Sequence, residues 1–239
     1  IFVIVHVNVR IIKEIFMRYS IGTNLIHSEF NGKSYCALCQ IKSIIDERVT
    51  EQFLEEAVME DHVRARVNKL GFCEKHFDKL YEGRSKLGLA LQCHTRLKTY
   101  TDSIQPTTNE KKAKKQAENI RKLSSTCIIC ETVNEHMERY AQTIAKMFLA
   151  EEDFRNVFAN EKSICLNHFA NLLENCSYAG KYSDQFLKTL YDIEIKSNSI
   201  LSDEIRAFCD RFDYRNAQKP LGEEKNALPK TRIKMYGKK

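Results

Sequence analysis

Residues 69–80 read KLGFCEKHFDKL and residues 161–172 read EKSICLNHFANL. Both contain C-x-x-H-F-x-x-L, 92 positions apart, and each follows a C-x-x-C: Cys36 and Cys39 in one case, Cys127 and Cys130 in the other. Cys73 follows Cys39 by 34 positions, and Cys165 follows Cys130 by 35. The register extends beyond the cysteines, since Glu60-Asp61 lies before Cys73 as Glu152-Asp153 lies before Cys165, and Phe77 and Leu80 correspond to Phe169 and Leu172. Agreement over such a span predicts a duplicated chain.

Two thiolates separated by two residues can converge on one ion, because the turn between them points both sulfurs the same way. Zinc takes four such sulfur or imidazole ligands in a tetrahedron, supplied by two half-motifs from distant segments. The expected ligands are Cys36, Cys39, Cys73 and His76 in one half, and Cys127, Cys130, Cys165 and His168 in the other. Each Cys3His set fills all four positions, which predicts two structural zinc ions. Iron–sulfur is disfavoured because its ligands are usually all cysteine. A thioredoxin-like thiol pair lacks its alternating β and α setting, and haem attachment lacks the histidine after C-x-x-C, where Gln40 and Glu131 stand.

Between the half-motifs the pattern is helical. Val133, Met137, Tyr140, Ile144 and Met147 recur at steps of four and three, and Ile41, Ile44, Ile45 and Val49 begin a similar stripe. Apolar, helix-favouring segments also follow each C-x-x-H. The fold expected is all-α, with two tandem pseudo-repeats of helices, each pinned by a metal site. Gln105-Pro-Thr-Thr-Asn109 and the charged run after it divide the halves. The expected organisation is an N-terminal extension at 1–30, a first metal-binding repeat at 31–108, a charged linker or helix at 109–124, a second repeat at 125–214 and a basic tail at 215–239. Pro220, Gly222 and Pro229 predict that the tail is irregular.

The remaining composition excludes several classes. Of 239 residues 43% are hydrophobic, with only 3 Pro and 8 Gly, which argues against disorder and against turn-rich β folds. Nine Cys without a recognisable signal peptide favour the reducing cytoplasm over a secreted disulfide framework. The opening IFVIVHVNVRIIKEIF is too short and too interrupted to span a bilayer, alternates like a strand, and reads as translated upstream sequence with a natural start at Met17. The net charge of +6 sits in the tail, where eight Lys or Arg stand against Glu223 and Glu224. Residues 110–122 hold six basic residues against two acidic ones. Neither segment carries an aromatic-interleaved basic face or a named reading motif, so nucleic-acid binding is disfavoured.

Cys93 and His94 are adjacent on an expected helix and point about 100° apart, a poor geometry for one ion. Cys176 and Cys209 read as small core residues, and His62 and His136 as surface or satisfied histidines. No nucleophile elbow, phosphate-binding Gly loop or dinucleotide fingerprint is present.

Together, the stretches CALC, GFCEKHF, KLGLAL, CIIC, SICLNHF and RFDYRNAQKPLG resemble the bacterial domain-of-unknown-function family 6062, from about Cys36 to Tyr236. The family pattern carries over at the eight ligand positions and at Phe212, Asp213, Tyr214, Arg215, Asn216 and Pro220. It departs at Ser163, where the second copy usually has Gly, and at Leu221, where an aromatic is common. The resemblance implies a shared full-length architecture and no defined activity. Within RFDYRN, the residues Arg211, Asp213, Tyr214 and Arg215 gather two guanidinium groups, a carboxylate and a phenol, which fits an anion or partner contact or an ion-paired tail docked on the helices.

Three functional readings follow. The leading one is a cytoplasmic zinc-binding module or scaffold with a protein partner and no membrane. The second is an enzyme or thiol-redox protein with a site between the repeats, using Cys93, His94 or RFDYRN. The third is a nucleic-acid binder acting through the 110–122 run and the tail.

Overall fold

The architecture comes from a computed structural model, which describes residues 22–55, 60–213, 215 and 222–238. Among the described residues there are helices and no strand. The strand-like opening and the Met17 start lie outside the described residues. Residues 22–29 form α1, followed by α2 (Ala37–Glu55), α3 (Asp61–Leu70), α4 (Glu74–Glu82), α5 (Lys86–Ser103) and α6 (Glu110–Ser124). After these come α7 (Ile128–Ala150), α8 (Glu152–Ala159), α9 (Leu166–Glu174), α10 (Ser183–Asp210) and α11 (Ala227–Tyr236). Two 3-10 turns, Cys176–Tyr182 and Glu223–Asn226, precede α10 and α11.

The chain divides into two compact units, and they are not the two halves of the sequence. One unit joins residues 1–43 to 137–239, and the other comprises 44–136. The chain passes from the first to the second within α2 and returns within α7.

In the terminal unit a cluster of phenylalanines fills the core. Phe158 lies 5.8 Å from Phe30 and 5.4 Å from Phe186, and Phe148 packs edge-on to Phe186 at 5.1 Å. Ile26 and Phe30 are buried, so part of the segment expected as an N-terminal extension belongs to this core. The long helix α10 packs against α8, α9 and α11.

In the middle unit α5 packs against α3 and α4. The charged run forms α6, capped where the Asn109 side chain accepts from the Lys112 amide at 3.1 Å, with no buried residue along it. It is a solvated helix, as its charge pattern allows.

The tail is where the expectation fails most clearly. Pro229 stands in the first turn of α11, where a missing N–H costs nothing, so it begins the helix and does not break it. Lys234, one of the cations of the basic tail, is 2% exposed. Its ammonium donates to the Ile164 carbonyl at 2.8 Å, the Glu194 carboxylate at 2.7 Å and the Ser197 hydroxyl at 3.0 Å. A buried charge is tolerable only when paired in this way. Replacing it with Ala strands Glu194, so K234A should destabilise the protein by about 3–5 kcal/mol in chemical denaturation, and K234A/E194A should recover part of that loss.

Candidate metal centres

Each of the four half-motifs is a helix start. Cys36 stands immediately before α2 and Cys127 immediately before α7, each with its second cysteine in the first turn. Cys73 and Cys165 occupy the extended N-cap positions of α4 and α9, with His76 and His168 three residues on. The first helical bonds follow at once, from the Phe77 amide to the Cys73 carbonyl and from the Phe169 amide to the Cys165 carbonyl, both 2.8 Å. N-cap and N3 side chains face the same way, and the positive end of the helix favours thiolates there.

The structure gathers the eight residues into two donor sets, and it exchanges the expected partners. Cys36 and Cys39 meet Cys165 and His168, while Cys73 and His76 meet Cys127 and Cys130. Equal spacing within each half had suggested local closure. Instead, the pair that opens the chain closes with the pair near its end, around the pair in the middle. In each set the four donor atoms lie within 4.8 Å of one another, and either set could hold a metal ion.

In the middle unit the His76 Nδ1 atom lies 3.2 Å from the Cys73 sulfur and 3.3 Å from those of Cys127 and Cys130. The two segments are joined beside the site, where the Ile128 amide donates to the Gly71 carbonyl at 3.0 Å and the Thr126 hydroxyl to the Leu70 carbonyl at 2.6 Å. Gly71 adopts a φ of 65°, open to glycine at little cost. On the far side of the ring, His76 Nε2 lies 2.8 Å from the Asp46 carboxylate, which also accepts from Lys75 at 3.1 Å and from Lys79. Burial alone would raise the Asp46 pKa, but hydrogen bonds from Lys79, His76 and Lys75 outweigh it and hold the carboxyl well below the usual range. Burial in turn lowers the His76 pKa against the pull of Asp46. A neutral ring donating Nε2–H to a carboxylate is the arrangement that leaves Nδ1 free for a metal.

In the terminal unit all four donors are buried. The His168 Nδ1 atom lies 3.2 Å from Cys165, 3.6 Å from Cys39 and 3.7 Å from Cys36, and the Cys39 and Cys165 sulfurs are 3.6 Å apart. Two backbone amides point at the sulfurs, from Cys165 to Cys36 at 3.5 Å and from Lys238 to Cys39 at 3.4 Å. The end of the tail therefore covers this site. Gly237 makes the turn at a φ of 78°, where a Cβ would stand 3.6 Å from the Cys39 sulfur. Ser163, which takes the place of Gly71 in this copy, has no positive φ; its buried hydroxyl lies 3.4 Å from Lys234.

Hydrogen bonds from the Cys36 and Cys39 thiols, with the His168 ring, hold the Cys165 thiol well below the usual range against burial, while crowding raises two other thiols. Burial and the neighbouring Cys127 and Cys73 push Cys130 up to about 12, and the Cys165 and Cys39 thiols, with burial, hold Cys36 well up. A divalent cation relieves that resistance to joint ionisation.

The other candidates separate cleanly. Cys93 is half-buried on α5 and burial pushes its thiol up, the opposite of an activated nucleophile; its neighbour His94 is exposed. Cys209 is exposed rather than in the core, because the end of α10 turns it outward, and Cys176 is half-buried. His62 is an exposed partner of Glu60. Arg215 pairs with Asp213 at 2.5 Å and Arg211 with Glu224 at 3.7 Å, while Tyr214, Asn216, Pro220 and Leu221 lie outside the described residues. The sequence reading missed Asp46, Gly237 and Lys238. An acid beside Ile41, Ile45 and Val49 on an apolar stripe was the available sign of Asp46. No local pattern marked the tail as a cover.

Comparison with known proteins places the chain in a family. Residues 17–239 match the family of unknown function DUF6062, and the chain belongs to it. It is also similar to an uncharacterised 23.9 kDa protein in the xynA 3′ region of Caldicellulosiruptor sp. (strain Rt8B.4), 25% identical over 181 residues, which is 76% of this chain and 84% of that protein. No solved structure matches it. No helix among the described residues is long and apolar enough to cross a membrane.

Two outcomes test the environment of these sites. D46N should weaken metal retention by the middle-unit set by about 10–100-fold in competition with a chromophoric chelator, leaving the terminal-unit set unchanged. G237A, forced into a left-handed conformation, should lower stability by about 1–2 kcal/mol in denaturant titration.

Proposed function

We propose that the chain is a binding module of the reducing cytoplasm whose two Cys3His sets each hold one structural zinc ion. The donor separations carry this reading. A tetrahedral zinc with bonds of about 2.3 Å to sulfur and about 2.0 Å to nitrogen sets its ligands about 3.8 Å apart for sulfur pairs and about 3.5 Å for a sulfur and a nitrogen. The Cys73–Cys130 and Cys39–Cys165 sulfurs stand 3.8 and 3.6 Å apart, and the sulfur–nitrogen separations run from 3.2 to 3.7 Å. Iron–sulfur clusters need thiolates spread over several iron atoms, whereas these donors surround a single point. Four protein ligands leave no position for a reacting water, so the ions would bind helix starts together and activate nothing.

The repeated spacing supports duplication, with each half lending ligands to the other. The burial-raised thiol of Cys93 counts against redox chemistry there. The nucleic-acid reading loses two of its tail cations to ion pairs: Lys234 is buried against Glu194, and Lys230 lies 2.7 Å from Glu204.

Protein purified without an affinity tag should contain two zinc ions per chain by mass spectrometry of metals; fewer than one sinks the proposal. Because metal binding is folding free energy, on the order of 10 kcal/mol per structural site, chelation should unfold the chain. Hydrogen exchange tests the exchanged pairing: C36S should expose the amides of 165–174 and 233–238 and spare those of 74–82. Exposure of 74–82 instead would restore the sequential pairing.

A further inference from the structure

In the terminal unit a cavity of about 720 Å³ opens beside α10, with Tyr35, Glu161, Ser197 and Glu204 among its lining residues. Its volume is in the range that holds a small organic ligand. Three observations set this cavity apart from an incidental groove. First, Glu161 is only 7% exposed and, among the described residues, its carboxyl makes no hydrogen bond or ion pair. Second, the Glu204 carboxylate gives one oxygen to Lys230 and leaves Oε2 buried without a partner, and the Ser34 hydroxyl is also buried without one. The Tyr35 hydroxyl, in the same lining, is buried without a partner as well. Buried polar groups without partners are costly and rare in folded proteins, and here those of Ser34, Tyr35 and Glu204 line one space. Third, Ile193 and Leu201, buried on α10, add apolar surface to the lining, while its lysines Lys33, Lys162 and Lys196 are exposed.

The Ser34 and Tyr35 hydroxyls can donate or accept, whereas the two carboxylates, Glu161 and Glu204, call for a partner that carries positive charge. A metal ion fits poorly, since Glu161 and Glu204 belong to no cluster of three or more ligating side chains. The half-buried Lys230, in the lining, is already engaged by Glu204 at 2.7 Å and Glu223 at 3.6 Å. An organic ammonium satisfies the carboxylates through its three N–H donors, an aliphatic spacer covers Ile193 and Leu201, and an anionic far end meets the exposed lysines.

We infer that this cavity is a binding site for a small organic zwitterion, a primary ammonium joined through an aliphatic chain to a carboxylate, with the ammonium held by Glu161 and Glu204. The inference deepens the binding-module reading by naming a ligand class, and it does not require that the metal be zinc. It also explains why an unpaired acid persists in the interior: a site kept ready for a cation is costly to the free protein.

The charge on Glu161 gives the site a pH dependence. Burial pushes its carboxyl up to about 7, against a smaller opposing effect of Lys162. The other titratable groups facing the cavity are Tyr35 and Lys33 before α2, Asp192, Lys196 and Glu204 on α10, and Glu223 and Lys230 before and on α11. Tyr35, raised by burial, stays a neutral phenol. An alkylammonium keeps its charge throughout this range, so binding should strengthen as Glu161 ionises, by up to about tenfold between pH 6 and pH 8, with a proton released on binding below pH 7.

Calorimetry on the full, metal-loaded chain at pH 8 tests this with three probes: 5-aminopentanoate, pentylamine and pentanoate. The expected order is 5-aminopentanoate tightest, pentylamine weaker and pentanoate without measurable binding. E161Q should weaken 5-aminopentanoate at least tenfold and abolish the pH dependence. Pentanoate binding as tightly as 5-aminopentanoate, an unchanged E161Q, or no heat from either amine at about 10 mM would overturn the assignment. If E161Q does not fold, the wild-type pH series decides: affinity that is flat or falls from pH 6 to 8 overturns it. Metal content measured on the same samples separates this outcome from the metal proposal, since two bound ions without amine binding would defeat only the cavity, and amine binding without metal only the ions.

Discussion

The fold depends on one geometric demand, that donor atoms from two helix starts meet at one point, twice over. A helix start offers cysteine or histidine at the N-cap and three residues later, on one side of the first turn, with the helix dipole favouring a thiolate. Four such starts, at α2, α4, α7 and α9, leave little freedom in how the chain runs between them. α2 enters the middle unit with its first turn fixed in the terminal unit, and α7 leaves it with its first turn fixed there. The apolar stripes of these helices then decide which face is buried, and the donor sets decide where each helix begins.

Legibility in the sequence follows the same division. Periodicity identified an all-helical chain, because apolar residues at steps of three and four face one side of a helix whatever lies opposite. Spacing identified all eight donor residues, because C-x-x-C and C-x-x-H are local geometry. Spacing could not say which pairs meet. Two ligand pairs 34 positions apart are as compatible with joining each other as with joining pairs far along the chain, and only the packing of the intervening helices separates these cases. The tail failed for a related reason: Lys234 looks like any surface lysine until Glu194, Ser197 and the Ile164 carbonyl, from distant segments, surround it.

The two donor sets share chemistry and differ in surroundings. In the middle unit Cys73 and Cys130 are only half-buried, and the ring of His76 is anchored by Asp46 with two lysines behind it. In the terminal unit every donor is buried, and the amides of Cys165 and Lys238 take the place of a carboxylate in steadying the set. One site is held by a charged hydrogen-bond chain at its edge, the other by enclosure under the last residues of the chain. Neither contains the cavity beside α10, which leaves Glu161 as an acid that the architecture itself does not use.

The nesting of the two sets has a consequence for assembly. The inner set joins residues 57 apart in sequence, from Cys73 to Cys130, and the outer set joins Cys36 to His168 over 132. Closing the inner set first removes the segment between its ligands from the outer loop. What remains is 34 positions on one side and 35 on the other, so the outer closure falls from 132 residues to about 70. Halving a loop lowers its closure cost by about 0.6 kcal/mol, a modest gain in stability but one that favours an order: middle unit first, then the paired ends. The residues that cover the outer set, Gly237 and Lys238, follow all eight donors in the sequence, so the cover comes after both sets of donors. This makes the basic end of the chain a structural part of the terminal unit, joined to it through Lys234 and through the amide over Cys39.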